Sequence, residues 1–101
     1  IAGGKQKGSD YRPLTSLLAQ KAKAMISFGG IGEELSSIFA TTVQCRKAET
    51  LEEAVAMAAV MAERGETILF SPGTSSFDQF NGYEERGRAF KAALPQMIKT
   101  L

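Results

Sequence analysis

The side chains in this sequence best suited to chemistry are hydroxyls and ammonium groups carried by two loops of small residues. One loop is Ser71-Pro72-Gly73-Thr74-Ser75-Ser76-Phe77-Asp78-Gln79-Phe80, with hydroxyls at Ser71, Thr74, Ser75 and Ser76. The other is Gly4-Lys5-Gln6-Lys7-Gly8-Ser9-Asp10, with two lysines among its glycines. Hydroxyls, ammonium groups and the backbone amides of such loops all donate hydrogen bonds, a combination that suits a carboxylate or a phosphate. Each loop also has a plainer explanation, a capped strand-to-helix turn in the first and solvated lysines in the second. The glycine loop is neither a Walker A loop nor a dinucleotide fingerprint, because Ser9 follows Gly8 where a lysine is required.

Other chemistries are poorly supplied. The chain has no histidine, which removes the commonest metal ligand and the usual neutral-pH proton shuttle, so neither triad catalysis nor a zinc site is expected. The single cysteine, Cys45, excludes an internal disulfide and reads as a small core or edge residue. No catalytic residue and no metal ligand is assigned.

The elements that must position the two loops follow from periodicity. The apolar run Thr67 to Phe70 leads into the hydroxyl loop as a strand, and Ile1 to Gly3 leads into the lysine loop as the end of another. That opening resembles a strand without its beginning, as in a domain belonging to a longer protein. Leu14, Leu17, Leu18 and Ala22 recur at helical spacing and predict a helix over about Tyr11 to Lys23 with a core-facing apolar side, Pro13 lying in its first turn. Ala24 to Phe28 is a buried strand closed by Gly29-Gly30, where a ligand could approach the backbone or the chain could simply turn. Ile31 to Phe39 is a short helix with Leu35, Ile38 and Phe39 inward, and Thr42 to Arg46 a strand. Thr50-Leu51-Glu52-Glu53 is a capping box opening a helix that buries Leu51, Ala54, Val55, Ala58 and Ala62. Met57 and Met61 fill gaps or lie on the surface. Gly65 reads as its left-handed cap. The last helix carries Tyr83, Gly87, Phe90, Leu94, Met97 and Leu101 on one side, with Pro95 a kink or break, and Glu84, Glu85, Arg86, Arg88 and Lys91 as its solvated face.

With 101 residues, 44% hydrophobic and 23% charged, the chain is one domain, residues 1–101, with a single core. A net charge of +1 gives no bulk attraction to nucleic acid, and no apolar run is long enough for a membrane span, so a cytoplasmic setting is the default. Strands alternating with helices predict an α/β fold, Rossmann-like and doubly wound, with a mostly parallel sheet covered on both faces. If the chain winds outward through strands two and three and then places strand four beyond strand one, the order is 3-2-1-4. The winding then reverses between strands one and four, at whose carboxyl ends the two loops meet.

At this point the residues resemble a known family. Gly3 to Tyr11 with Pro13-Leu14, the Phe28-Gly29 strand end, and Leu69-Phe70-Ser71-Pro72 through Ser76-Phe77-Asp78-Gln79-Phe80 to Tyr83-Glu84-Glu85-Arg86-Gly87 and Phe90 are similar to the carboxyl-terminal domain of the Mur ligases. Within the family the resemblance is to the branch that adds D-glutamate to UDP-N-acetylmuramoyl-L-alanine. It covers nearly the whole chain, and the second motif is the specific one.

The resemblance implies a three-domain enzyme in which an amino-terminal domain binds the UDP-sugar, a central domain binds ATP and magnesium, and this domain brings the D-glutamate. ATP phosphorylates the carboxylate of UDP-N-acetylmuramoyl-L-alanine and the amine of D-glutamate attacks the acyl phosphate. The fragment alone would hold no cofactor and be inactive. By motif position, Ser76 would hold a D-glutamate carboxylate with the backbone of Phe77 beside it, Tyr83 would contact the substrate, and Lys7 and Ser9 would contribute from the other loop. The sequence departs from the family in Gly73-Thr74-Ser75, in Lys5 where some members have an aspartate near the ATP ribose, and in lacking a lysine between Lys23 and Lys47. The alternatives are another Mur ligase or a folylpolyglutamate synthase and, outside the enzymes, a stand-alone anion-binding or interaction module.

Overall fold

The central strand sets the layers. In β2, Ala24–Phe28, successive side chains point to opposite faces of the sheet, so Met25 and Ser27 go one way and Ile26 and Phe28 the other. All four are buried, which requires cover on both sides. A computed structural model describes residues 1–5, 8, 10–71 and 81–100, with side chains as far as Ala93. It places β2 between β1, Ala2–Gly3, and β3, Gln44–Ala48, both parallel to it.

On one face Ile26, Phe28 and Ala48 meet Leu51, Ala54, Val55 and Ala58 of α3, Leu51–Met61. Alanines at the contact let that helix approach the sheet closely. Packed alongside it is α4, Tyr83–Thr100, with Ala89, Phe90 and Ala93 against the same core. Met57 and Met61 are partly buried there, in the gap-filling role expected of them. On the other face Met25, Ile31, Leu35, Phe39, Val43 and Tyr11 form a second cluster, covered by α2, Gly32–Phe39. One sheet thus separates two cores, rather than the single core expected.

The sheet has three strands in the order β1-β2-β3, and the segment Thr67 to Phe70, expected as its fourth strand, is not one: two hydrogen bonds tie it to Ile1 without building a ladder. Ile1 donates from its backbone nitrogen to Leu69 O at 2.7 Å, and the Ser71 N–H donates to Ile1 O at 3.0 Å. One residue bonding forward and back to residues two apart is the pattern of parallel neighbours. The segment 67–70 therefore runs beside β1 on the edge opposite β2, where the order 3-2-1-4 puts it. These two bonds are what holds it to Ile1 among the described residues.

Several boundaries and faces differ from expectation. β3 begins at Gln44 instead of Thr42 because the Thr42 and Val43 amides bond back to Phe39 O, at 2.9 and 3.1 Å, and close α2 as a turn. The first helix is a tight 3-10 turn, Arg12–Leu14, followed by α1, Thr15–Lys21. Its inward positions are Tyr11, Leu18 and Ala22, while Leu14 and Leu17 are exposed at 45% and 55%. Half of the expected stripe, Leu18 and Ala22, thus faces the core, and the other half, Leu14 and Leu17, faces outward. The capping box holds in its first half, Thr50 Oγ1 accepting from the Glu53 N–H at 3.2 Å.

Gly65 is not the cap of α3. The helix ends at Met61 with Ala62 already extended, and Lys23 Nζ donates to Met61 O at 3.0 Å and to Glu66 Oε1 at 2.9 Å. The positive φ of Gly65, 92°, serves the Glu63–Glu66 turn that follows. Helix α4 continues through Pro95 without the break expected there. Its first turns also correct two assignments: Tyr83 is 73% exposed, off the buried side, and Arg86 is 8% exposed, off the solvated one. The side chains of Leu94 and Met97, and Leu101 altogether, lie outside the described residues.

Candidate functional site

The end of β1 and the segment that runs beside it form the root of the site. At the end of β1, the Gly4 N–H donates to Phe28 O at 3.1 Å and Gly4 O accepts from the Ile31 N–H at 3.0 Å. The root of the lysine loop is thereby held between the end of β2 and the start of α2. Gly3 lies so close to Phe28 that a methyl group on it would stand 2.2 Å from Phe28 O. On the segment beside β1, Ser71 is fixed by its bond to Ile1 O. The stems of both loops thus leave the same side of the sheet next to each other.

The far end of the lysine loop is anchored by charge. Asp10 Oδ1 accepts from the Arg12 N–H at 3.1 Å and from Arg12 Nε at 2.9 Å, and Oδ2 accepts from Nη2 at 2.9 Å. This fork holds the Asp10 carboxyl down to about 2, chiefly through the side-chain hydrogen bonds and then the backbone one. The far end of the hydroxyl loop is anchored by Glu85, whose Oε2 accepts from the Asn81 N–H at 3.2 Å, one turn into α4.

Of the residues assigned to the substrate, Tyr83 is described, and it stands exposed at the first position of α4. Lys7, Ser9, Ser76 and Phe77 lie outside the described residues, and of their loops the stems at Gly4 and Ser71 are described. Lys5 is exposed next to Gly4. Cys45 is half-buried, its Sγ donating to Val43 O at 3.4 Å, and burial pushes its thiol up, the opposite of what activates a nucleophile.

A second concavity opens over the carboxyl ends of β2 and β3. It has a volume of about 370 Å³ and is lined by Gly29, Gly30, Glu33, Lys47, Glu49 and Glu53 among others. Lys47 Nζ is 2.5 Å from Glu33 Oε2, so its ammonium is already engaged. Three carboxylates facing one lysine suit a cationic or neutral polar guest better than an anion. Sequence reasoning flagged Gly29-Gly30 but missed this wall. Its charged residues come from α2, β3, the turn that follows β3, and α3, and only the parallel register brings them side by side. Among the described residues, no group of three or more His, Cys, Asp or Glu is placed to hold a metal ion.

A parallel three-stranded sheet with helices on both faces defines an α/β domain of the Rossmann-like type. Over 91 residues the chain is 47% identical to a protein of Chlorobium phaeobacteroides named UDP-N-acetylmuramoylalanine--D-glutamate ligase, an alignment covering 90% of this chain and 20% of that protein. It is 45% identical over 94 residues to the Geobacter metallireducens protein of the same name, covering 93% of this chain and 21% of that one. The chain is thus a relative of the D-glutamate-adding Mur ligases, spanning about a fifth of their length. No protein-family model matches it. No helix among the described residues is long and apolar enough to cross a membrane.

Proposed function

We propose that this chain is the domain that presents D-glutamate in a ligase joining it to UDP-N-acetylmuramoyl-L-alanine. The observation that carries the reading is the identity of 47% to a protein with that name, spread over 90% of the chain. The geometry supports it from below, since Ser71, the stem of one anion-suited loop, is bonded to Ile1 beside β1, from which the other loop leaves. D-glutamate is a dicarboxylate, and lysine with hydroxyls and backbone amides is the donor set it needs.

On this reading Ser76, the Phe77 backbone, Lys7, Ser9 and Tyr83 hold and orient the amino acid. Its free amine attacks an acyl phosphate on the other substrate, a C–N bond forms, phosphate departs with the electrons of the C–O bond, and the amine gives up a proton. ATP and magnesium, which form that acyl phosphate, belong to the central domain of the ligase. What these residues contribute is orientation, and orientation of a bound nucleophile is a large part of such a rate.

The test is a pair of substitutions in the full-length ligase, Ser76→Ala and Lys7→Ala. Each removes a charge-assisted hydrogen bond worth about 1.5–3 kcal/mol, so the KM for D-glutamate should rise roughly 10- to 150-fold, with a much smaller change for UDP-N-acetylmuramoyl-L-alanine. D-glutamate kinetics unaltered in both variants would reject the assignment.

A further inference from the structure

An open edge and a bare face meet beside β1. The edge belongs to the segment 67–70. With Leu69 O and the Ser71 N–H turned toward Ile1, the N–H and C=O of Phe70 between them turn the other way. No backbone hydrogen bond among the described residues uses those two groups. An edge of this kind is a template for another strand.

The face lies on the same segment. Ile68 and Phe70 pack against the core under α3, so Leu69 between them points to the opposite side of the sheet, the side that α1 and α2 cover. There it is 68% exposed. On that side α1 meets the core through Leu18 and Ala22, yet it buries no residue fully and leaves Leu14 and Leu17 open. The helical cover thus stops at α1, short of the segment 67–70. A single exposed leucine needs no explanation, but three in one layer beside an open edge do.

Handedness selects the occupant. Right-handed crossovers put the helix on one face when the chain steps one way across a sheet and on the other face when it steps back. The steps from β1 to β2 and from β2 to β3 carry α1 and α2 on the Met25 face, and the step back from β3 carries α3 on the Ile26 face. A strand on the outer edge of the segment 67–70 that leads into β1 steps in the same direction as β1 to β2. Its crossover helix therefore falls on the Met25 face beside α1, where Leu69 is bare. The sheet has room for that connection, since Ala24, Met25 and Ile26 pair with β3 and have no partner across β1. The chain for it exists in the relatives, of which this chain spans about a fifth.

We propose that Leu14, Leu17 and Leu69 form the seat of an amphipathic helix from the part of the ligase that leads into β1, and that the strand before this helix pairs with the outer edge of the segment 67–70. The helix covers Leu69 and the flank of α1, and the pairing completes the segment as a strand. This goes beyond the D-glutamate reading and does not depend on it: a Ser76→Ala variant without effect would sink that reading and leave this one standing.

The test uses the full-length ligase with Leu69→Cys or, as reference on the opposite face, Glu52→Cys, which replaces an exposed residue of α3. Maleimide labelling is followed peptide by peptide by mass spectrometry, so other cysteines do not interfere. The Leu69→Cys site should label about tenfold or more slowly than the Glu52→Cys site, without substrates and at every protein concentration. Equal rates at the two sites overturn the proposal. Protection that needs ATP and the other substrates means that a mobile domain covers the face, and protection lost on dilution means that a second copy does; either result also overturns it. Hydrogen exchange in the unaltered ligase decides the matter if Leu69→Cys does not fold. The Phe70 amide should exchange about 100-fold or more slowly than an unpaired one, and exchange at the free-chain rate overturns the strand pairing.

Discussion

Substituting Gly3 by alanine probes the junction on which both the sheet and the lysine loop depend. Gly3 pairs with Phe28 in the parallel ladder, at φ 155°, and a methyl group there would lie 2.2 Å from Phe28 O and 2.7 Å from both Phe28 N and Phe28 Cδ1. Two of those atoms are backbone, and Phe28 is fully buried between Ile26, Ala48 and α3, so nothing nearby can yield cheaply. Overpacking of this kind costs about 1–3 kcal/mol and the disfavoured backbone about 1–2 kcal/mol more, offset by about 0.4–1 kcal/mol from stiffening the unfolded chain. The net expectation is a loss of about 2–4 kcal/mol, a fall of roughly 10–25 °C in Tm for a domain of this size.

Urea unfolding followed by circular dichroism measures it, with Gly65→Ala as the internal reference. Gly65 also has positive φ, 92°, but no atom lies within 4 Å of where its methyl would go, so that variant carries the backbone cost without the clash. Gly3→Ala destabilising by no more than Gly65→Ala would refute the claim that close approach of β1 to Phe28 is what requires glycine.

Two further predictions concern the ends of elements. Thr50→Ala removes the acceptor for the Glu53 N–H and should lower stability by about 1 kcal/mol, read from the same urea curves, with Thr50→Ser restoring most of it. The Asp10 carboxyl, held at about 2 by Arg12 against an ordinary value of 3.8, favours the folded loop above pH ~4, and that contribution is lost as pH falls from ~4 through about 2. A carboxyl carbon NMR titration should show the depressed midpoint. Arg12→Gln should return it toward the ordinary range, and added salt should weaken the effect because both side chains are exposed to solvent.

The sequence by itself determined the α/β class, the strand Ala24–Phe28, the α3 helix with its threonine cap and the family resemblance, because each is written in nearby residues: alternation, 3.6-residue spacing, a capping box, a contiguous motif. It also determined which loops carry anion-suited groups. Properties that depend on residues distant in the chain were decided only by tertiary structure. The phase of the first helix followed from which of its residues reached Met25 and Ile31, so Leu14 and Leu17 stayed outside where spacing alone placed them inside. The cap of α3 came from Lys23, which lies 38 residues away from Met61 in sequence, and a glycine nearby could not reveal it. Arg86 is the sharpest instance, since it stands among exposed charges in sequence and is itself buried. Burial is a property of what packs on a residue from other elements, and in α4 the stacking of Phe90 on Phe70 decides that the same stripe, Arg86 included, faces inward.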